Sequence, residues 1–425
     1  MSVYAPPPAP SSIKEAEVGH KLLFDLILKL IHVEGLSTVT MLAARSRLPA
    51  ALIADLVEEA REFALLESRG ARGSDYSAEL RYALTGKGHD WAIEALERCQ
   101  YIGPAPVSLE AFREQVEKQR ITRERVGPDQ IMRSFAHLVL PEKLMARLGP
   151  AVNSGKSVLL YGRSGNGKTA IAEALRDAFG DVIAVPYCIA VDGQIINYFD
   201  AHVHRVVPGN HSEELKQEFG PNRDRRWLAC RRPLTVVGGE LTLEMLDLVF
   251  DGAAKFYEAP AHLKATGGIF VVDDFGRQRA SPESILNRWV VPLERGIDYL
   301  SLRTGKKFPV PFDGLVIFST NLAPTDVADQ GLLRRLHYKI EITDPSKEDY
   351  ARIWARVCGE RGIELPDDLV PFLEETLYER SDIPRAGYHP HYLVDQVAAM
   401  CEYAGQPPQL DKELLELAWS NLFAH

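Results

Sequence analysis

The residues with the plainest chemical purpose are the octet 162–169, GRSGNGKT, spaced G-x-x-x-x-G-K-[ST]. An apolar run at 157–161 leads into it and a helical pattern starting at Ala170 follows, which is the strand–loop–helix setting the motif requires. Gly162, Gly165 and Gly167 let the backbone turn tightly, so its N–H groups, those around Asn166 included, can surround a polyphosphate at a helix N-terminus. Lys168 is placed for the β- and γ-phosphates, and the Thr169 hydroxyl for Mg²⁺. About a hundred residues later, GGIFVVDDF at 267–275 is an apolar strand ending in Asp273 and Asp274. The pair suits a division of labour: Asp273 holds Mg²⁺, usually through water, and Asp274 orients and deprotonates an attacking water. Together these residues imply binding and hydrolysis of a nucleoside triphosphate such as ATP.

Two further stretches extend the set. LVIFSTN at 315–321 is another buried strand with a polar tip, where Asn321 can hydrogen-bond a γ-phosphate or the lytic water. GLLRRLHYKIEI at 331–342 puts Arg334 and Arg335 at a helix end before a strand. Such a pair can reach a neighbouring subunit's γ-phosphate, or it can be a solvated arginine pair.

Taken in this order, the motifs resemble the AAA+ ATPase family over roughly 129–425: Walker A, Walker B, sensor 1, arginine finger, lid. The likeness is strongest to the branch holding MoxR-like, chelatase and enhancer-binding ATPases. ATGGIFVVDDF at 265–275 looks like that branch's A-x-GG-x-hhh-DE, and 299–310, with its Thr-Gly-Lys turn, looks like its hairpin before sensor 1. The resemblance implies an α/β fold, with a parallel-sheet P-loop core over 129–343 and an α-helical lid over 344–425. It also implies ATP and Mg²⁺ as cofactors, a homo-oligomeric ring of six, and a macromolecular client remodelled at the expense of ATP.

Three departures bear on mechanism. Asp274 stands where the family has Glu; it is one methylene shorter, so the water must sit closer or be bridged, which points to slow turnover. In AGYHPHYLVDQV (386–397), His391 falls at the usual sensor-2 arginine, and Arg385, six residues earlier, is a possible substitute. About 80 residues separate a strand predicted at 182–188 from Walker B, and they include Arg223, Arg225, Arg226, Arg231 and Arg232. Those arginines fit a nucleic-acid or acidic-partner surface, a subunit interface or a solvated face. Residues 187–265 lie where the family places pore-facing insertions.

The rest of the chain must position this machinery. Its 425 residues, 46% hydrophobic and 25% charged, predict two or three globular domains. No stretch approaches 18 uninterrupted apolar residues, so no membrane span is predicted. Five dispersed cysteines without a C-x-x-C pair argue against a zinc site or disulfide framework. With no signal-like N-terminus, they predict a cytoplasmic protein. Residues 1–14 read as a proline-rich disordered tail. Residues 15–100 read as three helices, a β-hairpin and a fourth helix, an arrangement resembling a small α+β winged-helix domain; 101–128 read as a linker. Winged helices often bind DNA through the third helix, but here that helix carries Asp55, Glu58, Glu59 and Glu62 against Arg61 alone. The wing is better supplied, with Arg69, Arg72, Arg81 and Lys87. The balance favours an unknown protein client chosen by this domain. A DNA-associated regulator or mobile-element ATPase is the alternative, and a slow nucleotide-dependent assembly switch is a third.

Overall fold

The computed structural model describes residues 4–72, 79–207, 222–381 and 383–423. The N-terminal module comprises α1 (His20–Glu34), α2 (Val39–Ser46), α3 (Ala50–Glu62), an antiparallel hairpin of β1 (Leu66–Arg72) and β2 (Glu79–Leu84), and α4 (Gly86–Arg98). Hydroxyl caps fix two of the starts: Thr38 accepts from the Met41 N–H and Thr85 from the Gly88 N–H. Leu23, Leu26, Ile27 and Leu30 of α1 bury one apolar face against Leu52, Leu56 and Leu84. The turn of the predicted hairpin, 73–78, lies outside the described residues.

The stretch predicted as a linker is packed instead. It forms β3 (Val107–Ser108) and α5 (Leu109–Lys118), whose Phe112, Gln115 and Val116 are buried. The tail is likewise anchored over its described part. Tyr4 N–H donates to Val182 O, Ala9 N–H to Asn222 O, and Asp224 N–H to Pro7 O. Prolines cannot continue a ladder, but their extended backbone still presents carbonyls to one.

After α6 (Pro128–Ser134) and α7 (Glu142–Ser154) come β4 (Val158–Tyr161), α8 (Lys168–Ala178), β5 (Val182–Pro186), β6 (Cys188–Val191) and β7 (Gln194–Asn197). Next are β8 (Trp227–Arg231), β9 (Leu234–Val237), β10 (Val249–Asp251), β11 (Phe256–Glu258) and β12 (Gly268–Val272). Then follow β13 (Ile297–Ser301), β14 (Lys307–Pro311), β15 (Gly314–Thr320) and β16 (Tyr338–Glu341). Five of these make a wholly parallel sheet in the order β16-β4-β15-β12-β9. Its central strands are apolar because helices or loops cover both faces. The class is α/β.

The strand predicted at 182–188 does not join this sheet. As β5 it pairs antiparallel with β8, and the fifth position beside the Asp273–Asp274 strand goes to β9. A second, mixed sheet, β10-β11-β7-β6-β3, is built from the long stretch between β5 and β12 together with β3. It shares a core with α5, the β5/β8 ribbon and the β13/β14 hairpin. It also meets the N-terminal module, whose core includes Cys188 and Ile195.

Two groups fasten that junction, Arg226 and Ser108, while Lys29 ties α1 to the chain leaving α4. The buried Lys29 ammonium donates to the carbonyls of Cys99 (2.9 Å) and Tyr101 (2.8 Å). Arg226 grips Asp224 with two nitrogens and reaches the carbonyls of Ala16 and Pro106. Ser108 donates to Glu17 at 2.9 Å. The arginine cluster is therefore not one surface. Arg226 and Arg232 are inside the protein, the latter paired with Asp181. Burial of a guanidinium is tolerated here because a carboxylate and carbonyls satisfy it, a pairing that sequence spacing does not display.

Beyond the sheet, helices spanning Lys347–Arg361, His389–Tyr403 and Lys412–Leu422 pack around Tyr350, Trp354, Leu393 and Trp419. Among the described residues no helix is long and apolar enough to cross a membrane.

Candidate nucleotide site

The loop between β4 and α8 opens at the C-terminal edge of the parallel sheet, where open α/β sheets bind ligands. Gly162 has φ +141°, and a Cβ there would lie 2.2 Å from the carbonyl oxygen of Ile342, so only glycine lets the loop pass the end of β16. Lys168, at the start of α8, folds its ammonium over the loop and donates to the carbonyls of Gly162 (2.8 Å) and Arg163 (2.9 Å). Burial lowers its pKa, against the opposite pull of Asp273 and Asp274. The Thr169 hydroxyl donates to Asp273 Oδ2 at 2.8 Å. Two motifs more than a hundred residues apart thus meet through the side chains predicted to share a metal. A hydroxyl and a carboxylate are hard oxygen donors of the kind Mg²⁺ takes, so the pair fits that ion. Asp274 follows at the strand end, exposed and with φ +49°.

A cleft of about 490 Å³ runs across this edge. Its walls include 164–170, Asp273, Asp274 and Ser319, the stretch 137–140 ahead of α7, and Ile353, Arg356, Gly387, Tyr388 and His391 from the helical segment. That segment touches the loop directly. Tyr388 N–H donates to Gly165 O at 3.0 Å and Gly387 N–H to Asn166 Oδ1 at 3.1 Å, while Asn166 Nδ2 donates to Asp344. The Tyr388 ring lies where a Cβ on Gly165 would be, 2.1 Å from Cδ1. The roof and floor of the cleft are therefore joined.

The remaining candidates divide. His391 lines the cleft, whereas Arg385 turns away and donates to Glu374 at 2.6 Å in a separate hollow with Arg163 and Lys347. Asn321 is half-buried and outside the cleft wall; Ser319, two residues earlier, takes that place. Arg335 is held by Glu294 at 3.2 Å, while Arg334 is exposed and makes no ion pair among the described residues. Sequence reasoning missed Ser319, Tyr388 and the 137–140 wall. The strand carrying Ser319 was visible, but Ser319 and Asn321 are two residues apart and share a face of the pleat, so alternation alone does not choose between them.

A family described as a domain of unknown function, DUF8689, matches residues 346–421, the helical segment. No curated protein matches. Among solved structures, the chain is similar to NtrX from Brucella abortus, at 15% identity and a TM-score of 0.41. That alignment covers 69% of this chain and 58% of NtrX, so the chain spans little more than half of that protein. It is also similar to two point variants of RuvB from Thermotoga maritima. The one with a proline-to-glycine substitution aligns at 11% identity with a TM-score of 0.36, covering 71% of this chain and 72% of RuvB. The one with a threonine-to-valine substitution aligns at 12% identity with a TM-score of 0.36, covering 71% of this chain and 73% of RuvB. These are distant, partial likenesses; the functional reading rests on the cleft.

Proposed function

We propose that this chain is an ATPase of the AAA+ type, binding ATP–Mg²⁺ in the cleft between the parallel sheet and the helical segment. The observation that carries the reading is the convergence at one sheet edge of Lys168, the Thr169–Asp273 contact and Asp274, roofed by Gly387 and Tyr388. In this reading the backbone of 162–167 and Lys168 hold the phosphates, and Thr169 with Asp273 hold Mg²⁺, which neutralises charge on the phosphoryl group. Asp274 takes the water's proton. An ATP phosphate gives the Lys168 ammonium an anion in place of the two carbonyls it now meets.

Of the two arginines, Arg334 is the one free to complete a neighbour's site in a homo-oligomeric ring, since Arg335 is tied within its own subunit. His391, on the cleft wall, is the sensor-2 candidate that can meet nucleotide from this position; Arg385 would first have to leave Glu374. The N-terminal module acts as the partner-recognition unit of a cytoplasmic remodelling ATPase. Its third helix favours protein over DNA: the lone Arg61 is engaged with Glu58 at 2.7 Å, leaving Asp55 and Glu62 exposed on that face.

The test is ATP binding and phosphate release by the full chain with Lys168→Ala and Asp274→Asn. Lys168→Ala should lose binding. Asp274→Asn should bind normally and lose about 10²–10⁴-fold in turnover, the usual worth of a general base. Unchanged turnover in Asp274→Asn removes that residue from the mechanism, and unchanged binding in Lys168→Ala removes the nucleotide site.

A further inference from the structure

We propose that a cavity between the N-terminal module and the chain entering β8 binds a small phosphate monoester, apart from the nucleotide cleft. The cavity holds about 340 Å³, within the range of about 300–1,000 Å³ that takes small ligands. Three stretches of chain build it: the turn from α2 into α3, Ala9 of the N-terminal segment, and Asn222, Arg223 and Arg225 ahead of β8. The last two stretches are joined by the bond from Ala9 N–H to Asn222 O at 2.8 Å. Among the described residues its wall carries three guanidinium groups, Arg47, Arg223 and Arg225, and no carboxylate. Two carboxylates border it, and both are engaged: Glu79 accepts the Thr40 N–H at 2.7 Å, and Asp224 is gripped by Arg226.

The charge in this cavity is not balanced from within the described chain. Arg47 and Arg225 make no ion pair and no side-chain hydrogen bond among the described residues. Burial and then the charge of Arg225 lower the pKa of Arg223, so two of the guanidinium groups repel each other. The start of α3 adds to the same sign. Ala50 lines the cavity, no side chain caps this 13-residue helix, and its first turn holds no acid. A phosphate dianion answers all of these at once. Guanidinium forks match its oxygens two at a time, and its charge relieves their mutual repulsion. Ala43, Leu48 and Pro49 leave an apolar wall for the body of the ester. A nucleic-acid duplex suits the place less well: it brings two rows of phosphates, and Asp55 and Glu62 are exposed farther along α3. A bound ester would tie Arg47 of the module to Arg225 ahead of β8, so occupancy should stiffen that junction.

The experiment is calorimetric titration of the full chain with phenyl phosphate, with ADP–Mg²⁺ present at saturation to fill the nucleotide cleft and phenol as the uncharged control. Phenyl phosphate should bind once per chain with Kd about 1 mM or tighter, raise the melting temperature, and bind equally well to Lys168→Ala; phenol should do none of these. Arg47→Gln and Arg225→Gln should each weaken it about 10–100-fold, the scale of a lost charged hydrogen bond. Both variants should turn over ATP at the wild-type rate, and without ligand both should melt like wild type. Arg225 is exposed, so its variant keeps the fold and carries the test by itself should Arg47→Gln melt lower. No binding to wild type, binding that disappears when ADP–Mg²⁺ is added, or affinity retained in Arg225→Gln overturns the proposal. A DNA duplex that binds and is lost with the same two substitutions would assign these arginines to a nucleic-acid backbone, and overturns it too.

Discussion

Replacing Arg232 by Met tests whether the arginine cluster is a surface or a buried tie. Arg232 and Asp181 have fully buried side chains, with Nε 2.8 Å from one carboxylate oxygen and 3.0 Å from the other. The same guanidinium donates to Gln119 O at 3.2 Å and to Gly267 O, just ahead of β12. Met keeps the stem and deletes the charge, leaving the Asp181 carboxylate and two carbonyls without their donor. Breaking a buried ion pair from one side costs about 3–5 kcal/mol. In a large domain each kcal/mol moves the melting temperature about 2–4 °C, so the drop should be about 6–20 °C. Calorimetry gives the shift, and ATPase rate per folded molecule, read well below the transition, separates stability from catalysis. The double variant Arg232→Met with Asp181→Leu should regain most of the loss, because apolar replacement of a whole buried pair is near neutral. The reasoning is refuted if Arg232→Met melts like wild type but has lost its ATPase activity, the signature of an arginine facing a neighbour's nucleotide.

Other outcomes follow from the same contacts. Gly165→Ala forces a left-handed residue, at about 1–2 kcal/mol, and drives a methyl into the Tyr388 ring; ATP affinity by calorimetric titration should fall, and Tyr388→Ala in the same chain should restore part of it. Arg334→Ala should cut turnover about 10³–10⁵-fold, the worth of an arginine finger, with nucleotide binding intact, while Arg335→Ala should cost far less; steady-state kinetics decide. Deleting residues 1–100 should give an insoluble or molten product, because it uncovers Cys188 and Ile195 and strands Arg226; a soluble, cooperatively melting product would contradict this. Burial holds the imidazoles of His204 and His389 near pKa 4 against an ordinary 6.5. Both fold as neutral groups, so their contribution is present above pH 6.5 and is lost as pH falls toward 4. His389→Gln should flatten that acid limb in denaturant titrations. Asp200 and Asp298, held near 2, lose theirs only below about 3.8.

What could be read from the sequence was what local pattern encodes. The octet at 162–169 fixes a backbone path through its glycines, and the apolar run into Asp273 and Asp274 can only be a buried strand, so both termini of the cleft were legible. Pairing partners were not. Val182 to Pro186 is the more apolar run, yet long-range register makes Leu234 to Val237, which includes Thr235, the member of the parallel sheet. Charge misled where burial decides: Arg226 and Arg232 share composition with a nucleic-acid patch, yet each closes on a buried carboxylate. Prolines at 6–8 suggested a loose tail because proline lacks a donor, but the segment is held through its carbonyls and neighbouring N–H groups. At the tip of β15, Asn321 drew attention by residue type, whereas the cleft wall is made by the plainer Ser319.

The second sheet carries one mechanical consequence. Ser108, Arg226 and a common apolar core join the N-terminal module to the second sheet, so the two form one packed body. Parting the module from that sheet would uncover the shared apolar core and take the Ala16 carbonyl away from the buried Arg226 guanidinium, so the two unfold as one unit.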